Sequence, residues 1–418
     1  MAAASVFEQI LDPMHRADPY PLYRELRKTP VVRETDGSFV VSRYRDIVAL
    51  LHDPRTSSRE VVTLPGFISK DSPEHDRIRR VIGRHYGPPH TPERIDGMAP
   101  DLLDVVTGLI DRLAGRTEVD LVDDFAYPLP VTAICRLLGV PLEDEPRFHA
   151  WADAIVEGVD PQARDEPARR KGAAAVAEMS GYFDTLVDAH RAMPGQDLLS
   201  AMITDAHTWE GMSRSELLSN ACLLLVAGHE TTVNLIANGM LTLLRHPEML
   251  DRIRREPDFV ILTVEELLRY EPPVHILIRK ALDDIDTTGT TIPAGATIRL
   301  VLASGSRDPD HVREPDRFDP DRHDLERVEF RPDESQHLGF GGGVHHCFGA
   351  PLARLETQIA LTELARRLEH PRLLADPPPY RPNPVLRGPR HLPVALDGVR
   401  TAEDRRTRGT TGLVESVS

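Results

Sequence analysis

The sequence predicts a single large domain, mainly α with a small β portion, built around one long central helix. Three observations carry this expectation. Apolar residues recur at helical spacing through most of the chain. Strand-like pieces are short, at Ser38–Val41 and Thr297–Val301. No linker and no internal repeat divides the 418 residues.

The helical spacing covers Pro21–Lys28, His75–His85, Asp101–Ala114, Ala168–His190, Ser213–His246, Thr263–Tyr270 and Phe348–Leu368. Hydrophobic residues make up 40% of the chain and charged residues 28%, enough apolar material for a substantial core. The stretch Pro309–Asp333 is dense in Pro, Asp and Arg and predicts an irregular coil. The domain is expected to span residues 1–398, and the polar stretch Val399–Ser418 to be a disordered tail.

Ser213–His246 is the most informative helix. Ser213 and Glu216 have the spacing of a capping box, and Pro247 follows His246 and stops the helix. Roughly 34 residues at about 1.5 Å each span on the order of 50 Å. Its middle reads Ala227-Gly228-His229-Glu230-Thr231-Thr232. A mid-helix glycine costs about 1 kcal/mol against alanine, so Gly228 either admits a neighbouring helix or serves chemistry. Glu230, a carboxylate amid apolar residues, must be paired or at work.

Bulk charge removes several classes of function. The 66 acidic and 50 basic residues give a net charge of −16, which repels phosphate backbones and excludes nucleic acid as a partner. Cys135, Cys222 and Cys347 lie far apart with no CxxC pair, so a disulfide framework is not expected and a reducing cytoplasm is. The apolar stretch Ala221–Gly228 is far too short for a membrane span. Glu8, Asp12, Pro13 and Asp18 stand where a signal peptide needs an apolar run. A soluble, cytoplasmic monomer is expected.

Chemistry concentrates at Phe340-Gly341-Gly342-Gly343-Val344-His345-His346-Cys347-Phe348-Gly349-Ala350-Pro351. The glycines let a loop lie close against a flat ligand. Pro351 suits the first turn of a helix, so Cys347 falls just before a helix N-terminus, where backbone donors stabilise a thiolate. Gly349 leaves room for a macrocycle. A buried structural cysteine, a zinc site with His345 or His346, and a dinucleotide loop compete with ligation of a haem. No other Cys or His has zinc-ligand spacing, and Val344 stands where GxGxxG needs its last glycine. Local chemistry alone leaves the structural thiol and the haem ligand both open.

This loop resembles the haem-binding signature of the cytochrome P450 family, FxxGxHxCxG, with Phe340, Gly343, His345, Cys347 and Gly349 at its fixed positions. The resemblance implies the cytochrome P450 fold, with haem b bound and Cys347 as the axial ligand to iron. It extends from about Asp18 to Asp397. Glu266-Leu267-Leu268-Arg269 resembles the family's ExxR element, a buried structural pair completed by either Arg317 or Arg322. His75 and Arg79 match an HxxxR that contacts the haem propionates, and Arg279 and His345 match two further propionate contacts. Ala227 and Gly228 match the helix stretch beside the haem, with Phe340 and Gly341 in the loop facing it. Glu230 and Thr231 match the acid–alcohol pair that supplies protons to dioxygen. Departures are local: Gly87 before Pro88, and Ser304-Gly305-Ser306 before Arg307.

The implied function is a monooxygenase. It takes dioxygen as co-substrate and receives electrons from a ferredoxin, whose reductase uses NAD(P)H. It hydroxylates or epoxidises a lipophilic small molecule of terpenoid, steroid, polyketide or fatty acid type. Relatives driven by peroxide lack the acid–alcohol pair, and non-catalytic haem-binding or recruitment relatives lose that pair or the cysteine; both are intact here. Val274–Ile278 (with His275 as its polar member), Leu224, Ala227 and the regions 57–70 and 151–197 are expected to form the substrate pocket. Arg77, Arg80, Arg84 and Arg354 are expected to face the ferredoxin.

Overall fold

Ser213 starts the helix around which the molecule is organised. In the computed structural model, which describes residues 4–62, 64–159, 166–322 and 337–402, this helix runs Arg214–Arg245. The Ser213 hydroxyl accepts from the Glu216 amide at 3.3 Å, and the Glu216 carboxylate accepts from the Ser213 amide at 2.8 Å. At the far end His246 caps the helix and Pro247 begins the next one. The 32 residues extend about 48 Å at 1.5 Å per residue. The helices Pro128–Leu138, Glu166–Ala192 and Ala350–Arg367 pack around it and share its main core.

The other expected helices form as Tyr20–Leu26, Glu74–Tyr86, Ala99–Asp111 and Phe259–Tyr270. The helix after the cysteine begins at Ala350 rather than Phe348, because Gly349 serves as its cap and Pro351 occupies its first turn.

Five strands make the principal sheet, in the order Val31–Arg33, Phe39–Val41, Thr297–Val301, Ile276–Ala281, Thr56–Ser57. Phe39–Val41 runs parallel to Thr297–Val301 and the remaining neighbours are antiparallel. Ile276–Ala281 is not among the expected strands, because its apolar run lacks the alternation that marks one. Its consequence is functional: residues two apart share a face, so Leu277 and Arg279 lie on the same side.

One expectation changes. Val399 is paired with Leu368 in a short strand, and the Arg400 amide donates to the Arg367 carbonyl at 2.9 Å, so the polar tail does not start at Val399. Residues 403–418 lie outside the described residues. The coil expected over 309–333 is irregular through Arg322, and the remainder lies outside the described residues. Among the described residues no helix is long and apolar enough to cross a membrane.

Candidate active site

The Cys347 loop is shaped by glycine backbone geometry. Gly341 and Gly343 have φ of +68° and +64°, in the left-handed region that disfavours a side chain. A Cβ on Gly343 would fall 2.0 Å from the Leu51 carbonyl oxygen, so no other residue fits there. The Cys347 amide donates to the Phe340 carbonyl at 2.9 Å and closes the loop. Burial pushes the Cys347 thiol up, while the Gly349 and Ala350 amides and the Arg79 and Arg354 guanidiniums favour the thiolate. Protein surrounds the sulfur, and its open side faces a cavity.

That cavity, about 1300 Å³ including the space at its mouth, lies between the Cys347 loop and the central helix. Phe340, Gly341, His345, Cys347 and Gly349 line one side; Leu224, Ala227, Gly228 and Thr231 line the other. Phe67, Ile68, Ile134, Val274, Leu277 and Leu302 make up an apolar wall. A Cβ on Gly228 would lie 3.6 Å from Ile134, an ordinary contact, so protein packing does not require glycine there.

One edge of the cavity gathers buried cations and donors. His75 is fully buried, its Nδ1 on Asp76 and its Nε2 without a partner. Its ring lies 4.3 Å from that of His345, whose Nε2 is 3.1 Å from the Ser58 hydroxyl. Arg279 is buried and donates to the Ile278 carbonyl; burial pulls its guanidinium down to about 10, opposed by the Asp71 carboxylate. Burial also lowers Arg79, whose guanidinium stands 5.3 Å from the Phe348 ring centre. Burial, then Arg279 and His75, bring His345 to about 3. Cationic and donor groups this strongly desolvated call for carboxylates. A thiolate on one side, a flat apolar space above it and this cluster along one rim fit a haem with two propionates.

Behind the loop, Glu266 is fully buried and its carboxylate takes both Arg269 Nε and a terminal nitrogen at 2.7 Å. Arg322 Nε at 3.1 Å and the Asp319 amide at 2.9 Å complete it. Arg322 is therefore the third member; Arg317 contributes only its carbonyl oxygen while its own side chain is exposed on Glu314 and Asp319. The adjacent Glu265 receives Arg354 at 2.6 and 2.9 Å and His337 at 3.1 Å. Burial would raise Glu265, but these hydrogen bonds outweigh it and bring it to about 2. The ExxR helix is thus tied to the helix that follows Cys347.

On the central helix Thr231 donates to the Ala227 carbonyl at 2.8 Å. Glu230 is buried, is not among the residues that line the cavity, and forms an ion pair with Arg381.

Other expectations fare differently. His275 is not in the cavity wall: it is fully buried, with Nδ1 2.6 Å from the Tyr23 hydroxyl. Phe67 and Ile68 of the region 57–70 line the cavity, whereas no described residue of 151–197 does. Arg77 is engaged by Glu216 and Arg354 by Glu265, leaving Arg80 and Arg84 exposed on the expected ferredoxin face. Ser304 and Ser306, at the departure from the family pattern, hold Arg27 and the Leu338 amide, a local packing role. Sequence reasoning missed Arg381, which arrives from a distant segment and carries no motif.

The comparisons agree with this geometry. Residues 164–392 match the family model described as Cytochrome P450. The cytochrome P450 monooxygenase PikC of Streptomyces venezuelae is 39% identical, covering 94% of this chain and 94% of that protein. The vitamin D(3) 25-hydroxylase of Pseudonocardia autotrophica is 36% identical over 92% of this chain and 95% of that one. The crystal structure of ligand-free CYP164A2 from Mycobacterium smegmatis aligns with a TM-score of 0.83 at 36% identity, covering 93% of this chain and 99% of that chain.

Proposed function

Because this chain belongs to the cytochrome P450 family, a haem-iron monooxygenase family, we propose that it oxidises a lipophilic small molecule with electrons from a ferredoxin. The observation that carries this reading is Cys347 facing Thr231 across an apolar cavity. A haem held there would supply the redox chemistry of dioxygen activation, with a thiolate donor behind it.

The chain's own residues divide the remaining work. Cys347 would hold the iron, with the Gly349 and Ala350 amides favouring its thiolate form. His75, Arg79, Arg279 and His345 orient the macrocycle through its carboxylates. The apolar wall excludes water and takes substrates such as a terpenoid, steroid, polyketide or fatty acid; the hydroxylase of vitamin D(3) among the relatives supports that range. The Thr231 hydroxyl turns from the Ala227 carbonyl to present its proton to the cavity, and Glu230 resupplies it. Arg80 and Arg84 offer positive charge to an acidic ferredoxin, whose reductase draws on NAD(P)H.

The test is spectroscopic and then chemical. Purified protein should give the strongly red-shifted Soret band of a thiolate-ligated carbon-monoxide complex, lost in Cys347→Ser and kept in Cys135→Ser and Cys222→Ser. Titration with vitamin D3, a macrolide aglycone and a long-chain fatty acid should shift the Soret band of the resting protein for at least one of them. A histidine-type spectrum in fresh, active protein would overturn the assignment.

A further inference from the structure

Tyr86 is the last residue of the helix that carries His75 and Arg79, and Gly87 caps that helix behind it. The Tyr86 ring lies 4.3 Å from the ring of Phe348, the residue after Cys347. The side chain is buried and borders the cavity on its cysteine side. A buried phenol ordinarily finds a hydrogen-bond partner. Tyr20 and Tyr23, also buried, spend their hydroxyls on the Tyr270 carbonyl at 2.9 Å and on His275 at 2.6 Å. The Tyr86 hydroxyl has no such partner among the described residues.

What this hydroxyl faces is set by Gly349. That glycine has a φ of −79°, and a Cβ on it would lie 3.7 Å from the Tyr86 oxygen and 4.0 Å from the Cys347 sulfur. Both are ordinary contacts, so packing within the protein does not require glycine there. Its bare backbone leaves a shallow hollow onto which the phenol and the sulfur both open. Burial, then the Cys347 and Glu356 charges, push the phenol well above its usual range, so the hydroxyl keeps its proton. A hydroxyl that keeps its proton serves an anion as donor. Burial brings Glu356 to about 8, which leaves it uncharged near neutral pH. The sulfur is then the anion in front of Tyr86.

We propose that the Tyr86 hydroxyl turns its proton on the Cys347 sulfur across the Gly349 hollow, and so raises the potential at which the protein takes up its first electron. This rests on the reading of Cys347 as the ligand of a haem. The Gly349 and Ala350 amides already favour the thiolate, and Tyr86 adds a donor from another element. A donor aimed at a ligand sulfur draws charge from it and favours the state that holds one more electron. The electron comes from the ferredoxin. Tyr86 gains and loses nothing, and it stays protonated before and after.

The test uses the haem-loaded protein and needs no substrate. Tyr86→Phe keeps the ring on Phe348 and removes the hydroxyl alone. It should lower the midpoint potential by about 59 mV, the one-electron equivalent of an about tenfold change in the reduction equilibrium. The infrared C–O stretch of the reduced carbon-monoxide complex should fall too, because a sulfur relieved of a donor passes on more charge. A fluorinated tyrosine placed at position 86 donates more strongly and should move both readings the other way. It also serves if Tyr86→Phe takes up haem poorly. The Tyr182 hydroxyl is spent on Asp144 at 2.7 Å, so Tyr182→Phe should keep both parent values. A Tyr86→Phe protein with a thiolate-type spectrum and the parent potential and stretch overturns the proposal. So does a parent potential joined to an altered pH dependence of melting, which makes Glu356 the partner of the hydroxyl. A histidine-type spectrum in the parent overturns the reading of Cys347 and this role together.

Discussion

The Thr231 hydroxyl donates to the Ala227 carbonyl four residues back, at 2.8 Å, while its side chain borders the cavity opposite Cys347. In a helix this bond satisfies a hydroxyl that has no better partner. A hydroxyl that works must leave it, and the mutant separates a working hydroxyl from a merely satisfied one. Thr231→Ala should retain haem and substrate binding yet divert most reducing equivalents into hydrogen peroxide, a loss of coupling read as product per NADPH. Parent coupling in that variant would remove Thr231 from the mechanism.

Glu266 carries the second prediction. Removing one donor from a buried carboxylate that keeps its other partners costs about 1.5–3 kcal/mol, the worth of a hydrogen bond to a charged group. Arg322→Ala should lose that much on denaturant unfolding and should retain haem poorly, because Glu266 is left short of a partner. Arg317→Ala removes only an exposed side chain and should stay within about 0.5 kcal/mol of the parent. Equal losses in the two variants would contradict the geometry of Glu266.

Salt should report the ferredoxin encounter. Arg80 and Arg84 project from the Glu74–Tyr86 helix, whereas Arg77 and Arg354 are already paired. Ferredoxin-supported turnover should fall as ionic strength rises, with the fall shallower in Arg80→Glu. Rates indifferent to both salt and Arg80→Glu would place the docking face elsewhere.

Stability should depend on pH through Glu356. This carboxyl is buried in the helix after Cys347, one oxygen lacks a partner, and burial raises it from 4.5 to about 8. Between those values the folded protein keeps a proton that the unfolded chain gives up, so stability falls as pH rises through that window and levels off above it. The effect is on the order of a few kcal/mol. Glu356→Gln should flatten the melting-temperature profile between pH 5 and 8 and melt higher than the parent at pH 8. Parallel profiles for the two proteins would refute this.

What could be read from sequence was local. Ser213, Glu216 and Pro247 act within a few residues of the ends they set, so the bounds of the central helix were legible. The cysteine loop was legible for the same reason, since its glycines and Pro351 adjoin Cys347. The choice between Arg317 and Arg322 was not legible, because both sit in one coil and only its path decides which side chain reaches Glu266. His275 read as pocket because its neighbours Val274 and Leu277 are, yet Tyr23, far away in sequence, draws it inward. Arg381 gave no signal: its partner lies on another element 151 positions back, and no spacing rule spans that distance. Ile276–Ala281 hid as a strand because both its faces are partly covered.

The contact between Gly343 and the Leu51 carbonyl also bears on the order in which the protein matures. Residues about 290 positions apart must meet before the thiolate loop has its final shape, and contacts of such long range form late and slowly. The helix Tyr44–His52, which carries Leu51, itself packs on the sheet-side core with Leu300 and Leu338. The loop that carries Cys347 is therefore completed only when the first and last parts of the chain have closed on each other. Nascent chains released before that closure would hold the prosthetic group weakly, and its capture would mark the end of folding, not its beginning.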